Sequence, residues 1–104
     1  MQPQILSITP NTIGVQADQH EGQYERSGTK TIECTATLEG GIEVDFNATA
    51  RIYGRISALD EEPDFEIYSA SIEISDLTVF HDGEEISAAP YEYLHEELPK
   101  HIHL

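Results

Sequence analysis

The stretch that decides the fold is residues 32–52, IECTATLEGGIEVDFNATARI. At positions 42–52 every second residue is apolar and the alternate residues are polar, which is typical of a β-strand with one buried side. Residues 32–38 alternate in the same way. Gly40 and Gly41 separate the two runs, and glycine readily adopts the positive φ angles of a tight turn. The stretch predicts a β-hairpin, and its strict alternation argues against a disordered chain.

The N-terminal part of the chain carries weaker patterns. Short apolar alternations at residues 4–9 and 12–17 are separated by Pro10 and Asn11, and they predict one bent strand or two short ones. Residues 18–30 are polar and contain two glycines, so we expect a mobile loop there.

Beyond the hairpin, the apolar residues return after an acidic, proline-containing connector but change phase twice. Each change would turn the side chains to the opposite side of a sheet unless a bulge or bend absorbs it. The sequence predicts a strand over 65–74, a kink near Ser75 and Asp76, and a second strand over 77–81. The Asp-Gly pair at 82–83 predicts the turn that follows.

The C-terminal segment has helical rather than strand spacing. Tyr91, Leu94 and Leu98 lie at positions i, i+3 and i+7, Pro90 occupies a favoured first helical position, and Pro99 should end the helix. A helix of two to three turns is too short to persist unless it packs on the sheet.

These elements predict an α+β fold, namely an antiparallel sheet of four to six strands with a short C-terminal helix packed on it. The 104 residues form one domain, 1–104, because this length leaves no room for a second core. The long strand over 42–56 could also pair with a second copy, which would give a homodimer.

The charge of the chain excludes several classes of function. Twenty acidic residues against five basic ones give a net charge of −15. Direct binding to nucleic acid requires lysine and arginine for the phosphates, and an anionic membrane surface would repel this chain. The sequence has no apolar run of the ~20 residues that a membrane-spanning helix needs, and no signal peptide. A single cysteine excludes an internal disulfide, and we expect a cytoplasmic protein.

The acidic residues are concentrated in one part of the chain. Residues 56–99 contain thirteen acids and no lysine or arginine. Three interpretations remain open: a solvated coat that maintains solubility, adaptation to high salt, or a docking surface for a basic protein. We favour the docking surface, and we add one tyrosine because tyrosine is common at interfaces. The predicted partner-binding residues are Asp60, Glu61, Glu62, Asp64, Glu66, Glu73, Asp76, Asp82, Glu84, Glu85, Glu92, Tyr93, Glu96 and Glu97.

The spacing of some carboxylates permits mimicry of nucleic acid. Residues i and i+2 of a strand project from the same side about 6.7 Å apart, which is comparable to the spacing of neighbouring phosphates. Glu43 and Asp45 have this spacing, as do Asp64 and Glu66.

Catalysis, metal binding and cofactor binding are not expected. His95, His101 and His103 could together bind zinc or nickel, but two of them lie in the last four residues, where fraying is the rule. Cys34 alternates with apolar residues and is predicted to be a buried small side chain rather than a nucleophile. We therefore predict no catalytic residues, no metal site and no cofactor.

In length, acidity, β-rich layout and C-terminal helix the chain resembles small bacteriophage-encoded anti-defence proteins, the anti-restriction and anti-CRISPR proteins, several of which mimic nucleic acid. The resemblance implies a non-enzymatic inhibitor in the cytoplasm of the bacterial host. Its partner would be the basic surface of a host nuclease or CRISPR-type effector, and it would block access of nucleic acid. The alternative is a phage structural or assembly protein whose acidity serves solubility.

Overall fold

Six strands form one antiparallel sheet in the computed structural model, which describes residues 2–17, 19–20, 24–56 and 65–104. The order across the sheet is β1-β3-β4-β5-β6, and β2 pairs with β3 farther along the same edge as β1. The α+β prediction is confirmed. The strands are β1 Ile5–Thr9, β2 Gln19–His20, β3 Glu25–Leu38, β4 Ile42–Ile56, β5 Phe65–His81 and β6 Glu84–Ile86.

The predicted hairpin is the centre of the sheet. β3 and β4 pair without interruption from Leu38 opposite Ile42 to Glu25 opposite Arg55. Gly40 and Gly41 make the turn with φ angles of 83° and 74°, in the region that glycine adopts without a steric penalty. The expected loop at residues 18–30 is wrong at residues 19–20, which form β2, and from residue 25 onward, where the chain is already in β3. Polar side chains do not prevent this, because the strand ladder is formed by backbone groups.

Two β-bulges absorb the phase changes of β5. The irregularity expected near Ser75 and Asp76 is confirmed, but the two separate strands expected over 65–74 and 77–81 are wrong, because β5 runs without a break from Phe65 to His81. The register with β4 shifts between Tyr53 and Gly54, where Tyr68 is the extra residue on β5. It shifts again between Asp45 and Asn47, where Asp76 adopts a φ of 52°. β5 therefore keeps apolar side chains on one side of the sheet in spite of its broken alternation.

The C-terminal helix is confirmed, but it is divided into three short turns. A 3₁₀ turn at Ala89–Tyr91 is followed by one α-helical turn, α1, at Leu94–Glu97, and by a second 3₁₀ turn at Leu98–His101. Pro90 lies in the first turn, as predicted. Pro99 does not end the helical segment, because it occupies the start of the second 3₁₀ turn, where a missing backbone N–H costs nothing.

The core lies between one side of the sheet and these turns. Val44 and Val79 of the sheet and Leu94 and Leu98 of the turns are fully buried. An N-terminal segment joins the same layer: the Ile13 N–H donates to the His103 carbonyl at 2.8 Å. Only one bridging residue of this segment, at 12, has strand geometry, so the strand expected over 12–17 is wrong.

The molecule is elongated, with extents of 55 × 20 × 20 Å. Its radius of gyration is 17.0 Å, against about 13 Å for a compact chain of this length. The cause is that the central strands extend beyond the helical cover. We call residues 19–20, 25–31, 51–56 and 65–71 the arm, and the rest of the sheet with its cover the covered half.

Candidate acidic interface

The sheet has one covered side and one open side. On β4 the even-numbered residues from Ile42 to Ile52 are buried, while Glu43, Asp45 and Arg51 between them are exposed. No helix or loop of the described residues packs on the side that carries these exposed residues. This open side is where a partner would meet side chains that the fold itself does not need.

Six exposed carboxylates share one region of the open side, and we call them the acidic patch. These carboxylates come from β3, β4, β5 and β6. The strand register shows that they share the open side, because directly opposed residues of neighbouring strands project from the same side. The members of the acidic patch are Glu33, Glu43, Asp45, Glu73, Asp76 and Glu85.

Hydrogen bonds between strands hold several of these carboxylates in place. The Thr35 hydroxyl donates to Asp45 Oδ1 at 3.0 Å, and the Asn47 amide donates to Asp76 Oδ2 at 2.9 Å. Both donors are neutral, so these bonds orient the carboxylates without removing their negative charge. Carboxylates that are oriented before binding lose less entropy when a partner binds.

The bases of the described residues lie mostly at the other end of this sheet. Arg51 borders the acidic patch and binds Glu73, with Nη1 2.8 Å from Oε2. Arg55 is farther along, with its guanidinium 5.9 Å from the centre of the Tyr24 ring. Arg26 and Lys30 lie on the neighbouring part of β3. The long axis of the described structure therefore has an acid-rich end in the covered half and a base-bearing arm.

The structure distributes the predicted partner-binding residues over several surfaces. Asp60, Glu61, Glu62 and Asp64 lie outside the described residues. Glu66 is in the arm, and sixteen residues of extended chain, about 50 Å, separate it from Asp82 at the β5–β6 turn. Glu73, Asp76 and Glu85 belong to the acidic patch. The register places Glu84 on the covered side, and Glu92, Glu96 and Glu97 belong to the turns that cover it.

Tyr93 is tied to the fold rather than free. Its ring is half-buried, and its hydroxyl donates to the Pro3 carbonyl at 2.9 Å. Burial, with smaller contributions from Tyr91 and Glu97, raises the pKa of Tyr93 above its ordinary value. The nearby Glu97 carboxylate is engaged by Lys100 at 3.1 Å. A partner that used this region would meet groups already bound within the molecule.

Three members of the acidic patch are absent from the predicted partner-binding residues: Glu33, Glu43 and Asp45. They lie before residue 56, outside the acid-rich stretch 56–99, although Glu43 and Asp45 have the spacing that permits mimicry of nucleic acid. The alternation of β3 and β4 places them on the polar side of the hairpin, and that pattern was the signal that could have found them.

The candidate metal ligands do not form a site in the described part of the chain, where no group of three or more histidine, cysteine or acidic side chains could hold an ion. The Nδ1–H of His95 donates to the Ile74 carbonyl at 3.2 Å, and the backbone of His103 pairs with Thr12. Cys34 is buried in the core, as predicted, and burial raises the pKa of its thiol.

The helical segments are all short. Across the described residues, the structure has no helix of the length and apolarity needed to cross a membrane.

Comparisons of the chain with known proteins identify no relative. No protein-family profile, no curated protein and no solved structure matches this chain. The acidic patch and the net charge of the chain are therefore the features that indicate a function.

Proposed function

We propose that this protein is a non-enzymatic inhibitor that binds a basic, nucleic-acid-handling protein through the acidic patch and blocks access of nucleic acid. A host nuclease or a CRISPR-type effector is the kind of target that fits, as in phage anti-defence. The observation that carries the proposal is the placement of six exposed carboxylates on an uncovered side of the sheet, in a chain of net charge −15.

The geometry of the acidic patch suits a surface that normally holds phosphates. Glu43 and Asp45 stand about 6.7 Å apart along β4, and neighbouring strands add carboxylates at steps of about 4.8 Å. Arginine forks recognise carboxylates and phosphates with the same pair of parallel hydrogen bonds. A flat array of carboxylates can therefore occupy arginine and lysine side chains that would otherwise bind a nucleic-acid backbone.

The loss of stability caused by repulsion between the clustered carboxylates also supports a docking role. An array of like charges on one surface destabilises the fold through self-repulsion, and contact with a basic partner would relieve it. Arg51 neutralises only one carboxylate, Glu73, at the border of the acidic patch. The other five have no lysine or arginine within salt-bridge distance among the described residues.

The test is competition with DNA. Purified CRISPR-type effectors and restriction nucleases are each mixed with a labelled DNA duplex, and displacement by this protein is followed by fluorescence anisotropy. We expect at least one target to lose its DNA, with an inhibition constant about tenfold weaker at 300 mM than at 50 mM salt, because exposed charges are screened. If no target loses DNA, or if inhibition is indifferent to salt, the proposal is wrong.

Two matched triple variants locate the surface. Glu33→Gln, Glu43→Gln and Asp45→Asn together remove three negative charges from the acidic patch, and we expect about tenfold weaker inhibition. Glu84→Gln, Glu92→Gln and Glu96→Gln remove three exposed charges from the covered side, with the same change in net charge. Equal losses from the two variants would show that net charge, and not the acidic patch, determines binding. A phage assembly protein whose acidity serves solubility would not compete with DNA in the first place.

A further inference from the structure

The outer edge of β5 is paired over only a small part of its length. β6 pairs with β5 at Val79–His81. Among the described residues, no strand pairs with this edge between Phe65 and Thr78. Open edges present unpaired backbone groups that can bind a further strand.

A hydrogen bond from α1 shows which backbone groups face outward. His95 Nδ1 donates to the Ile74 carbonyl at 3.2 Å, so this carbonyl points away from β4. In an antiparallel strand the N–H and C=O of one residue point to the same side, and alternate residues point the same way. Ala70 and Ile72 therefore direct their backbone groups to the open edge, while Ser71 and Glu73 bond to β4.

A shallow groove runs beside these two residues. Ala70 and Ile72 form one wall, and Pro99, Ile102 and Leu104 are on the other. Leu104 is 48% exposed, so apolar surface remains available in the groove. Lys100 also lines it, but its ammonium group is engaged by Glu97 at 3.1 Å. A strand added at the edge would direct every second side chain toward this groove.

The charge of β5 indicates what kind of strand would bind. Residues 65–81 contain Glu66, Glu73 and Asp76 and no lysine or arginine. Glu73 projects from the open side of the sheet. In an added strand, the side chains that do not face the groove would lie on this open side, close to Glu73. A second copy of the chain would bring another net charge of −15 to this edge, whereas a basic segment would be attracted.

We propose that the β5 edge at Ala70–Ile72 binds an extended, basic segment of the partner protein as an added strand. The segment alternates apolar residues, which enter the groove, with basic residues, which lie on the side of Glu73. This inference rests on the proposed function, since it states how the basic partner is held. Backbone pairing would supply affinity, and the alternation would supply specificity.

The first test uses a labelled eight-residue peptide that alternates arginine and valine. Its valines would lie opposite Ala70 and Ile72, so the valine N–H groups would bond to the edge. We expect N-methylation of the valines to weaken binding about tenfold, because two backbone hydrogen bonds are lost. N-methylation of the arginines keeps the charge and leaves those bonds intact, and we expect a change of less than about threefold. In complex with the unmethylated peptide, the amides of Ala70 and Ile72 should exchange hydrogen more slowly.

The second test changes the chain. Ala70→Pro removes an outward N–H that the fold does not use, so the variant should keep its melting temperature and lose the peptide. Ala70→Thr keeps this N–H, so it should weaken peptide binding much less than Ala70→Pro does. If Ala70→Pro fails to fold, the two methylated peptides on the unchanged chain still decide the question.

Each other outcome overturns the inference in a recognisable way. Equal binding of both methylated peptides would mean that charge alone attracts them; strand addition would be wrong while the proposed function stands. A concentration-dependent dimer in sedimentation that Ala70→Pro dissociates would mean that a second copy occupies the edge. No peptide binding at low salt would also refute strand addition, whereas the proposed function is refuted only by the DNA competition.

Discussion

The covered half and the arm are made from the same strands, yet they are stabilised differently. In the covered half the buried apolar residues of β4 from Ile42 to Ala50 belong to the same core cluster as Leu94 and Leu98, which are fully buried. In the arm Ile52 is buried but lies outside the core cluster, and Ile67 and Tyr68 are 52% and 56% exposed. The difference shows that paired strands form in the arm without a helical cover, while a second layer is what turns one side of the sheet into a core.

The largest expected effect is a difference in the free energy of unfolding when one apolar side chain is truncated in each region. Leu98→Ala should lower the free energy of unfolding by about 3 kcal/mol, because it leaves a cavity beneath the helical turns. Ile52→Ala should cost no more than about half of that, since fewer core neighbours surround it. Denaturant unfolding of both variants measures the contrast. Equal losses would mean that the arm has a core of its own.

A smaller effect concerns the contact between the arm and the N-terminal segment. A Cβ at Gly28 would clash with the Gln16 carbonyl oxygen, so Gly28→Ala must displace backbone. We expect a loss of about 2 kcal/mol and faster hydrogen exchange in the arm. Gly14→Ala is the control, because nothing lies within 4 Å of its Cβ, and it should be neutral. A neutral Gly28→Ala would show that the segment moves away freely.

Tyr93 tests the attachment of the N-terminus to the covered half. Tyr93→Phe should cost about 1 kcal/mol, because the hydrogen bond to the Pro3 carbonyl is lost. The pKa of Tyr93 is raised in the folded chain, so the unfolded chain releases this proton at lower pH. Its contribution to stability is therefore complete below the ordinary tyrosine pKa and is lost as pH rises through the folded value. Melting curves from pH 8 to 11.5 should fall less steeply for Tyr93→Phe than for the unchanged chain.

The smallest effect lies at the border between the arm and the acidic patch. The Arg51–Glu73 pair is short, at 2.8 Å, but its side chains are 53% and 67% exposed. A double-mutant cycle with Arg51→Met and Glu73→Gln should give a coupling energy below about 1 kcal/mol, because water screens the pair. A larger coupling would mean that this pair, rather than backbone pairing, holds the arm in line with the covered half.

The same contrast explains what the sequence could predict. The alternation of residues 42–52 and the Gly40–Gly41 turn are local signals, and they were sufficient for the hairpin. Residues 25–30 have no apolar alternation. They pair with β4 because the Gly40–Gly41 turn sets a register that continues along both strands, and a local pattern does not show this. The bulge at Asp76 was visible as a phase change, yet its consequence, a carboxylate beside Asn47, depends on a partner 29 residues away.

The candidate site was predictable only in part for a related reason. Counting charge along the chain found the stretch 56–99, but a sheet brings together residues that are distant in sequence. Glu33, Asp45 and Asp76 come from three different strands, and only the register shows that they share one side.

A methyl NMR footprint of the bound target tests whether the acidic patch is the binding surface. The threonine methyls of Thr35, Thr49 and Thr78 lie on the open side with the acidic patch, whereas the exposed methyls of Ala89 and Leu104 lie with the covering segments. With a target identified by the inhibition assay, we expect shifts concentrated on the three threonines. Shifts confined to Ala89 and Leu104, with unchanged threonines, would mean that the target binds the covering segments instead of the acidic patch.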